Sequence, residues 1–229
     1  MPILMPISRV ITFLAAFLFI AFLIYGCAPG VYHKVNKGET FWRICKTYGA
    51  DMQEVAELND IKDPTAIKAG SKFFIPGASR LRKVKPFVPP SPGAKDEEAE
   101  GAIVVESGRF DWPLKGEMIS PYGLRNGVKH GGIDIKAKEG TPVLAADSGE
   151  AIYVESGMRG YGKIIILKHK DDFFTVYAHN SENLVKHGEK VERGARIAAV
   201  GRSGNATTAH LHFEVRQGKA VRNPLFFLP

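Results

Sequence analysis

The feature that most constrains the fold is the texture of the C-terminal half. From about Phe110 onward, short β-rich runs alternate with glycine-containing turns, and segments with helical periodicity are nearly absent. The runs are "TPVLAAD", "EAIYVES", "KIIILKH", "FFTVYAH", "RIAAV" and "LHFEVR". Strands at this spacing predict an antiparallel all-β domain over residues 109–229. About 120 residues are enough to bury a core of their own.

Residues 32–77 predict a second, smaller α+β domain with the order strand, helix, helix, strand. The stretch "YHKVNKGETFWRICKTYG" reads as a strand, a turn and a helix capped by Thr40, with Gly49 after its last residue. A second helix begins at Asp51 with Glu54 three positions on, which is a capping-box pattern. The run "AGSKFFIP" supplies the closing strand. The predicted fold class is therefore a small βααβ domain followed by an all-β antiparallel-sheet domain.

The first 26 residues carry a single charge, Arg9, followed by a run over 10–25 that is apolar apart from Thr12. This pattern predicts an export signal. The run is slightly shorter than the roughly 20 residues that span a bilayer. The following "LIYGCAPG" resembles a bacterial lipobox, which implies lipidation of Cys27; the alternative is an uncleaved membrane anchor. The lipobox leads us to expect a lipid-anchored protein of the cell envelope. Because Ala28 follows the cysteine, we expect the outer membrane, with the protein facing the periplasm.

Residues 78–108 hold several prolines and the acidic run "KDEEAEG", and they predict an extended, mobile linker. The formal net charge of +7 is mild and scattered, which favours anionic surfaces such as cell wall or lipid headgroups. Nucleic acid is not an expected partner, because no basic run with interleaved aromatics occurs. With Cys27 lipidated, Cys45 is alone and no disulfide framework is expected.

The run "TTAHLHFEVR" raises the question of a metal site. Alternate side chains of a strand share a face, so His210 and His212 point the same way, with Cα atoms about 6.7 Å apart. Leu211 points to the opposite face, which should be core. Taken alone, the pattern fits either a metal site or two surface histidines on an edge strand.

His130 and Asp134, in "KHGGIDIK", are a nitrogen and oxygen pair of the kind that zinc accepts. The glycines between them disfavour a helix. On a straight strand the two residues would lie ~13 Å apart, too far to share one ion. A metal site therefore needs the chain to bend at Gly131 and Gly132, which glycine permits.

His179 ends the strongly β run "FFTVYAHN", where its side chain can project into a cleft. His130, Asp134 and His212 make a three-ligand set that leaves one position for water, as catalytic zinc sites require. His179 and His210 would then stand beside that water, to move a proton or stabilise an oxyanion. Two further histidines lie among charged residues and are expected to face solvent: His169 and His187.

The N-terminal motifs "Y-x-V-x-x-G-E-T-F-W-x-I", "L-N-x-I" and "I-K-A-G-x-x-F-x-I-P" resemble a LysM domain. The resemblance implies binding of glycans that contain N-acetylglucosamine, including peptidoglycan. It places the groove at Gly38, Glu39, Thr40, Asn59 and Ile61. The alternative is a small domain with no ligand.

The H-x-x-x-D, Y-x-H and H-x-H patterns together resemble the lysostaphin-type zinc metalloendopeptidases of family M23. The resemblance implies one Zn²⁺ per chain on His130, Asp134 and His212, with His179 and His210 acting on the water and the tetrahedral intermediate. The chain departs from the family pattern in two places: Thr208-Ala209 stands where Gly-Pro is frequent, and Lys163 stands where Asn is common.

Three functions remain open from the sequence. The main hypothesis is a zinc-dependent peptidoglycan endopeptidase that cleaves peptide cross-links and reaches the wall through its LysM domain. The order of domains also resembles the division-associated lipoproteins that activate N-acetylmuramoyl-L-alanine amidases, many of which have lost metal ligands. A non-catalytic activator with cell-wall amidases as partners is therefore the alternative. A purely structural wall-binding lipoprotein leaves the five matching groups unexplained.

Overall fold

The computed structural model describes residues 29–88, 102–125 and 127–229. The predicted export signal and Cys27 lie outside the described residues, as does the middle of the predicted linker. Within the described ranges, no helix is both long enough and apolar enough to cross a membrane.

The N-terminal domain has the predicted βααβ order. Its elements are β1 (Gly30–Lys34), α1 (Phe41–Tyr48), α2 (Met52–Leu58) and β2 (Lys72–Pro76), and the two strands pair antiparallel. The Thr40 side chain accepts a hydrogen bond from the backbone N–H of Arg43, and Asp51 accepts one from that of Glu54. Gly49 follows α1 in the left-handed conformation. The local capping chemistry therefore sets both helix starts, as the sequence predicts.

The C-terminal domain is built almost entirely of antiparallel strands. In chain order these are β3 (Glu117–Ser120), β4 (Gly123–Arg125), β5 (Val128–His130), β6 (Ile133–Lys136), β7 (Pro142–Leu144), β8 (Gly149–Met158), β9 (Gly162–Lys168), β10 (Phe173–Asn183), β11 (Lys190–Val191), β12 (Arg196–Val200), β13 (His210–Gln217) and β14 (Ala220–Arg222). A 3₁₀ turn, Pro224–Phe226, follows. Ten of the described strands share one sheet, and β4 and β5 form a separate hairpin.

The central path of the sheet runs β11-β8-β9-β10-β13-β6-β3. Because β13 lies between β10 and β6, the H-x-H strand is internal, and the alternative of two surface histidines on an edge strand is wrong. Ile133, Ile135 and Leu211 are at most 1% exposed and face the core. The polar residues that alternate with them therefore share the other face.

The two domains contact one another through α2. The carboxylate of Glu57 is buried and accepts hydrogen bonds from Arg222 Nε at 2.7 Å and from the backbone N–H of Asn223 at 3.0 Å. The Asn223 side-chain amide also donates to the Glu57 carbonyl at 3.1 Å. Lys129 Nζ lies 2.9 Å from Glu54 Oε1. The N-terminal domain is therefore joined to the C-terminal domain by charged and backbone-directed hydrogen bonds.

Both described ends of the predicted linker pack on the folded domains. Val84 is buried, and the backbone N–H of Phe87 donates to the Gly38 carbonyl at 2.6 Å. At the other end, the backbone N–H of Val104 donates to Gln53 Oε1 at 2.6 Å. The expectation of a mobile spacer is wrong for these ends, because they bury apolar and backbone groups. For the middle of the linker it stays a prediction.

Candidate metal centre

Strand pairing and one turn bring the three predicted metal ligands together. Asp134 on β6 and His212 on β13 are directly opposite in the antiparallel register. His130 ends β5, and the chain then turns through two glycines before β6 begins. A Cβ on Gly132 would lie 2.3 Å from the Phe213 carbonyl oxygen, so the turn can approach β13 only with glycine at this position. The bend that the metal hypothesis requires is therefore present.

The ligand atoms converge closely. His212 Nδ1 lies 2.7 Å from Asp134 Oδ1, and His130 Nε2 lies 3.2 Å from both of these atoms. One donor atom from each residue can be chosen so that all lie within 4.8 Å of one another, and all three side chains are buried. Two imidazoles and one carboxylate are a donor set that binds zinc while leaving a fourth position open.

Hydrogen bonds outside the cluster fix which ring nitrogens face it. His130 Nδ1–H donates to the Pro121 carbonyl at 2.8 Å, which leaves Nε2 as the nitrogen with a lone pair. His212 Nε2–H donates to Glu214 Oε1 at 3.0 Å, which leaves Nδ1 for the cluster. Metal-binding histidines are held in this way, with the second nitrogen on a carbonyl or carboxylate. The residues present therefore fit a bound zinc ion.

Glu214 is a functional residue that the sequence reasoning missed. Its carboxylate is fully buried and also accepts hydrogen bonds from Tyr161 Oη at 2.9 Å and Arg216 Nε at 2.8 Å. The signal was present, because positions 212, 214 and 216 alternate on one strand face, beginning with the predicted metal ligand His212. Glu214 holds the ring of His212, and Arg216 supplies the opposing charge.

His179 and His210 face the same cleft as the cluster. Their ring centroids lie 4.8 Å apart, and His210 Nε2 is 3.9 Å from Asp134 Oδ1. Each donates its Nδ1–H to a carbonyl, His179 to Ser203 at 2.9 Å and His210 to Thr208 at 2.8 Å. The remaining Nε2 of each ring is thus the nitrogen available to a ligand in the cleft.

The position of His179 differs from the expectation in one respect. It lies within β10, not at its end, where the pairing with β9 shifts register between Tyr177 and Asn180. Its φ of +64° is in the left-handed region, which is uncommon for a residue with a side chain. The irregularity redirects the imidazole into the cleft.

Burial and charge set the protonation of the cluster. Burial raises the pKa of Asp134, but hydrogen bonds from His130 and His212 outweigh it and hold the pKa well below its usual range. Burial lowers the pKa of His212, but its hydrogen bonds to Asp134 and Glu214 raise it to about 9. Burial and the neighbouring His212 and His210 lower the pKa of His179 to about 4. At neutral pH His179 is therefore uncharged and able to accept a proton.

The cluster opens into a cleft of about 1130 Å³. The cleft is also lined by Ile119, Ser120 and Val128 and by the segments 159–161 and 205–208. Such a volume slightly exceeds the roughly 300–1,000 Å³ of small-molecule sites and has room for part of a polymer chain.

Arg125 also enters this cleft, and the sequence reasoning did not single it out. Its Nη2 donates to Asp134 Oδ2 at 2.7 Å and lies against the imidazole of His130, 2.5 Å from Nδ1 and 2.8 Å from Nε2. No local pattern identifies this residue, because its reach into the cluster depends on how the β4–β5 hairpin docks.

Two histidines outside the cleft differ from each other. His169 is buried, with Nδ1–H donating to the Ser148 carbonyl at 2.8 Å and Nε2 lying 2.7 Å from Thr175 Oγ1. The expectation that it faces solvent is wrong, because its ring is held by Ser148 and Thr175 and packs beside the ring of Phe110. His187 is exposed, as expected.

The predicted glycan-binding side chains are largely engaged within the N-terminal domain. Glu39 Oε2 lies 2.8 Å from His33 Nε2, and Thr40 caps α1. Asn59 joins α2 to β2, donating to the Phe74 carbonyl at 2.9 Å and accepting from its N–H at 2.7 Å. The remaining predicted residues are a turn glycine with φ +84° and a half-buried apolar residue, namely Gly38 and Ile61. Their role in glycan binding stays a prediction.

Together, the fold and the site define a metallopeptidase-type β domain that carries an accessory LysM-type domain. Comparison with known proteins agrees. The family model "Peptidase family M23" matches residues 128–224, and the "LysM domain" model matches residues 33–76. Lipoprotein YgeR of Escherichia coli (strain K12) is 35% identical over 211 residues, covering 89% of this chain and 83% of that protein. The chain therefore belongs to peptidase family M23, among its LysM-bearing lipoprotein relatives.

Two further relatives differ in what their names describe. "Murein hydrolase activator NlpD" of Escherichia coli (strain K12) is 42% identical over 119 residues, which cover 52% of this chain and 31% of NlpD. The crystal structure of a zinc-containing peptidase from Vibrio cholerae is 29% identical over 51% of this chain and 39% of that chain, with a TM-score of 0.48.

Proposed function

We propose that this protein activates cell-wall hydrolases of the N-acetylmuramoyl-L-alanine amidase class and does not itself need to cleave the wall. The observation that carries the proposal is the 42% identity of 119 residues to a protein named murein hydrolase activator. The cleft of about 1130 Å³ has room for a segment of a partner protein. The sequence resemblance favoured a peptidase as the main hypothesis, and the comparison shifts the weight to the activator.

A mixing assay tests this function. Purified protein, a cognate amidase and labelled peptidoglycan are combined, and soluble products are measured over time. Wild type and the variants His130→Ala and Asp134→Ala are expected to stimulate the amidase equally and to release nothing alone. Glu150→Ala, at an exposed position outside the cleft, is the control for the effect of an unrelated substitution. Melting temperatures confirm that each variant is folded. Products released without amidase, and lost in His130→Ala, would contradict the proposal.

The second candidate is a zinc endopeptidase, and one observation favours it. All five groups converge, and the two ligand histidines present the nitrogens that a metal requires. Bound zinc would polarise a scissile carbonyl and lower the pKa of a bound water toward about 7. His179, neutral at pH 7, would accept the proton from that water, and His210 would hydrogen-bond the developing oxyanion. Muropeptide analysis of wild type against His212→Ala, in the absence of amidase, tests this candidate.

We further propose that the protein is anchored and targeted at its N-terminal side. The LysM match supports peptidoglycan as the ligand of the N-terminal domain, and the lipoprotein relatives support lipidation of Cys27 and a location at the outer membrane facing the periplasm. Sedimentation with purified sacculi measures wall binding. Incorporation of a labelled fatty acid, expected in wild type and absent in Cys27→Ser, measures lipidation, and membrane fractionation distinguishes inner from outer membrane.

A further inference from the structure

The guanidinium of Arg125 lies inside the predicted metal cluster. Its Nη2 donates to Asp134 Oδ2 at 2.7 Å and lies against the imidazole of His130, 2.5 Å from Nδ1 and 2.8 Å from Nε2. Because His130 Nδ1 is engaged by the Pro121 carbonyl, Nε2 is the nitrogen that a metal would use. Zinc bonds to nitrogen and oxygen are about 2 Å long, so a zinc ion on these residues would lie within a few ångströms of the guanidinium charge. The positive charges of arginine and metal therefore oppose one another at this cluster.

The charges explain why an arginine is held at this place. Asp134 is 7% exposed, and a buried carboxylate is costly unless a positive group pairs with it. The other carboxylate of the site, Glu214, is already paired with Arg216. The Arg125 side chain is 45% exposed and reaches Asp134 from the cleft. It therefore supplies a positive charge to the cluster without a metal, and it has room to withdraw into solvent.

The N-terminal domain supports the hairpin that carries Arg125. Lys129, on the partner strand of the hairpin, is paired with Glu54 of α2 at 2.9 Å. Gly123, at the start of β4, also lies close to α2: a Cβ placed on it would be 3.7 Å from the Leu58 carbonyl oxygen. The position of the hairpin, and with it the reach of Arg125, thus depends on contacts between the two domains.

We propose that Arg125 is a resident cation of the His130–Asp134–His212 cluster and competes with metal for it. Withdrawal of Arg125 then favours metal uptake, and its charge compensates Asp134 while the cluster is metal-free. The inference concerns the affinity of the cluster for metal, and it holds whether the domain activates amidases or cleaves peptides.

Zinc affinity of the full-length protein tests the inference, with zinc added in competition with a chromophoric chelator. Arg125→Gln removes the competing charge and is expected to bind zinc at least tenfold more tightly than wild type. Arg159→Gln is the matched control, because Arg159 lines the same cleft. Within the part of the chain that the structure describes, it donates no hydrogen bond to the three predicted ligands. Equal or weaker zinc binding by Arg125→Gln, with Arg159→Gln unchanged, overturns the inference.

A second measurement covers the case in which Arg125→Gln folds poorly. Addition of a chelator is expected to leave the melting temperature of wild type unchanged and to lower that of Arg125→Gln. Added zinc should restore the melting temperature of the variant. Lys129→Ala, which loosens the hairpin and keeps Arg125, is expected to tighten zinc binding by a smaller factor than Arg125→Gln. Wild-type protein that melts at a lower temperature when the chelator is added would show that metal, not arginine, compensates the cluster. Neither readout involves amidase or peptidoglycan, so failure here is separate from failure of the proposed function.

Discussion

Each domain contains a buried histidine beside a carboxylate. The two arrangements differ in which atoms the ring nitrogens contact. In the N-terminal domain, His33 bonds Tyr48 Oη at 3.0 Å through Nδ1 and Glu39 at 2.8 Å through Nε2. Glu39 is completed by the backbone and side chain of Asn36. In the C-terminal domain, His130 and His212 each turn a nitrogen toward Asp134, at the floor of a cleft.

The difference shows what separates a structural polar cluster from a reactive one. In the first, both nitrogens of His33 and both carboxylate oxygens of Glu39 are engaged by side chains or backbone of the same domain. In the second, outer hydrogen bonds consume one nitrogen of each ring and leave the other pointing at a shared centre. A histidine and carboxylate pair therefore indicates a site only when several such pairs converge on one point.

The largest expected effect comes from Glu214→Ala, which removes the support of the C-terminal cluster. Arg216 would then be a buried, uncompensated charge, and the ring of His212 would lose its fixed orientation. Breaking a buried ion pair costs about 3–5 kcal/mol, so urea denaturation should show a loss of this size. The exposed Glu150→Ala should change the free energy of unfolding by less than about 0.5 kcal/mol. A loss below about 1 kcal/mol for Glu214→Ala would mean that the pair is not structural.

Zinc should distinguish the two clusters directly. At a zinc concentration of about 100 times Kd, binding stabilises the folded state by about 2.7 kcal/mol. We expect this gain in wild type and in His33→Ala, because zinc takes at least three protein ligands and the N-terminal cluster offers one histidine and one carboxylate. We expect no gain in His212→Ala. The measurement is urea denaturation with and without zinc. A gain that disappears in His33→Ala would reverse the comparison.

Replacing Glu39 by alanine should cost about 1–3 kcal/mol, because His33 and the Asn36 amide would lose a buried partner. Zinc affinity should be unchanged. The exposed Asp63→Ala, in the same domain, is a control for loss of a surface charge. If Glu39→Ala kept full stability but failed to sediment with sacculi, Glu39 would instead act as a glycan ligand, as the sequence resemblance implies.

The smallest expected effect is on the loss of folding stability at acid pH. Burial raises the pKa of Glu39, but the hydrogen bonds from Asn36 and the charge of His33 lower it below its ordinary value. A carboxylate whose folded pKa lies below its unfolded pKa of about 4.3 stabilises the fold above that pH and loses this contribution as the pH falls through the folded pKa. Wild-type stability should therefore fall more steeply below about pH 4.3 than that of Glu39→Gln. Parallel curves for the two proteins would argue against this role.

Much of the metal site could be predicted from local rules. The alternation in "HLHFEVR" places Leu211 in the core and His210 and His212 on one face, and the structure agrees. The need for a bend between His130 and Asp134 followed from strand length alone. These features depend on backbone geometry within a few residues, which sequence specifies well.

The remaining features depend on which surfaces meet. Glu57 is a charged residue on a short helix, and its burial follows only from the docking of Arg222 and Asn223. Arg125 reaches the cluster because a hairpin is held against α2. His169, flanked by lysines, is buried by the packing of distant strands. Charge in the local sequence predicts solvent exposure in each case, and tertiary contacts override it.

The burial of Glu57 between the domains has a consequence for cooperativity. Separation of the domains would expose or strand a carboxylate that now accepts hydrogen bonds from Arg222 and from the Asn223 backbone. Undocking therefore breaks these hydrogen bonds and loses contact area, while the burial that raises the pKa of Glu57 is relieved and offsets part of the loss. We expect the two domains to melt as one calorimetric unit, and the span between the Gly38 turn and the metal cluster to remain fixed. If the N-terminal domain binds glycan as proposed, the candidate metal cluster would then stand at a set distance from the bound strand.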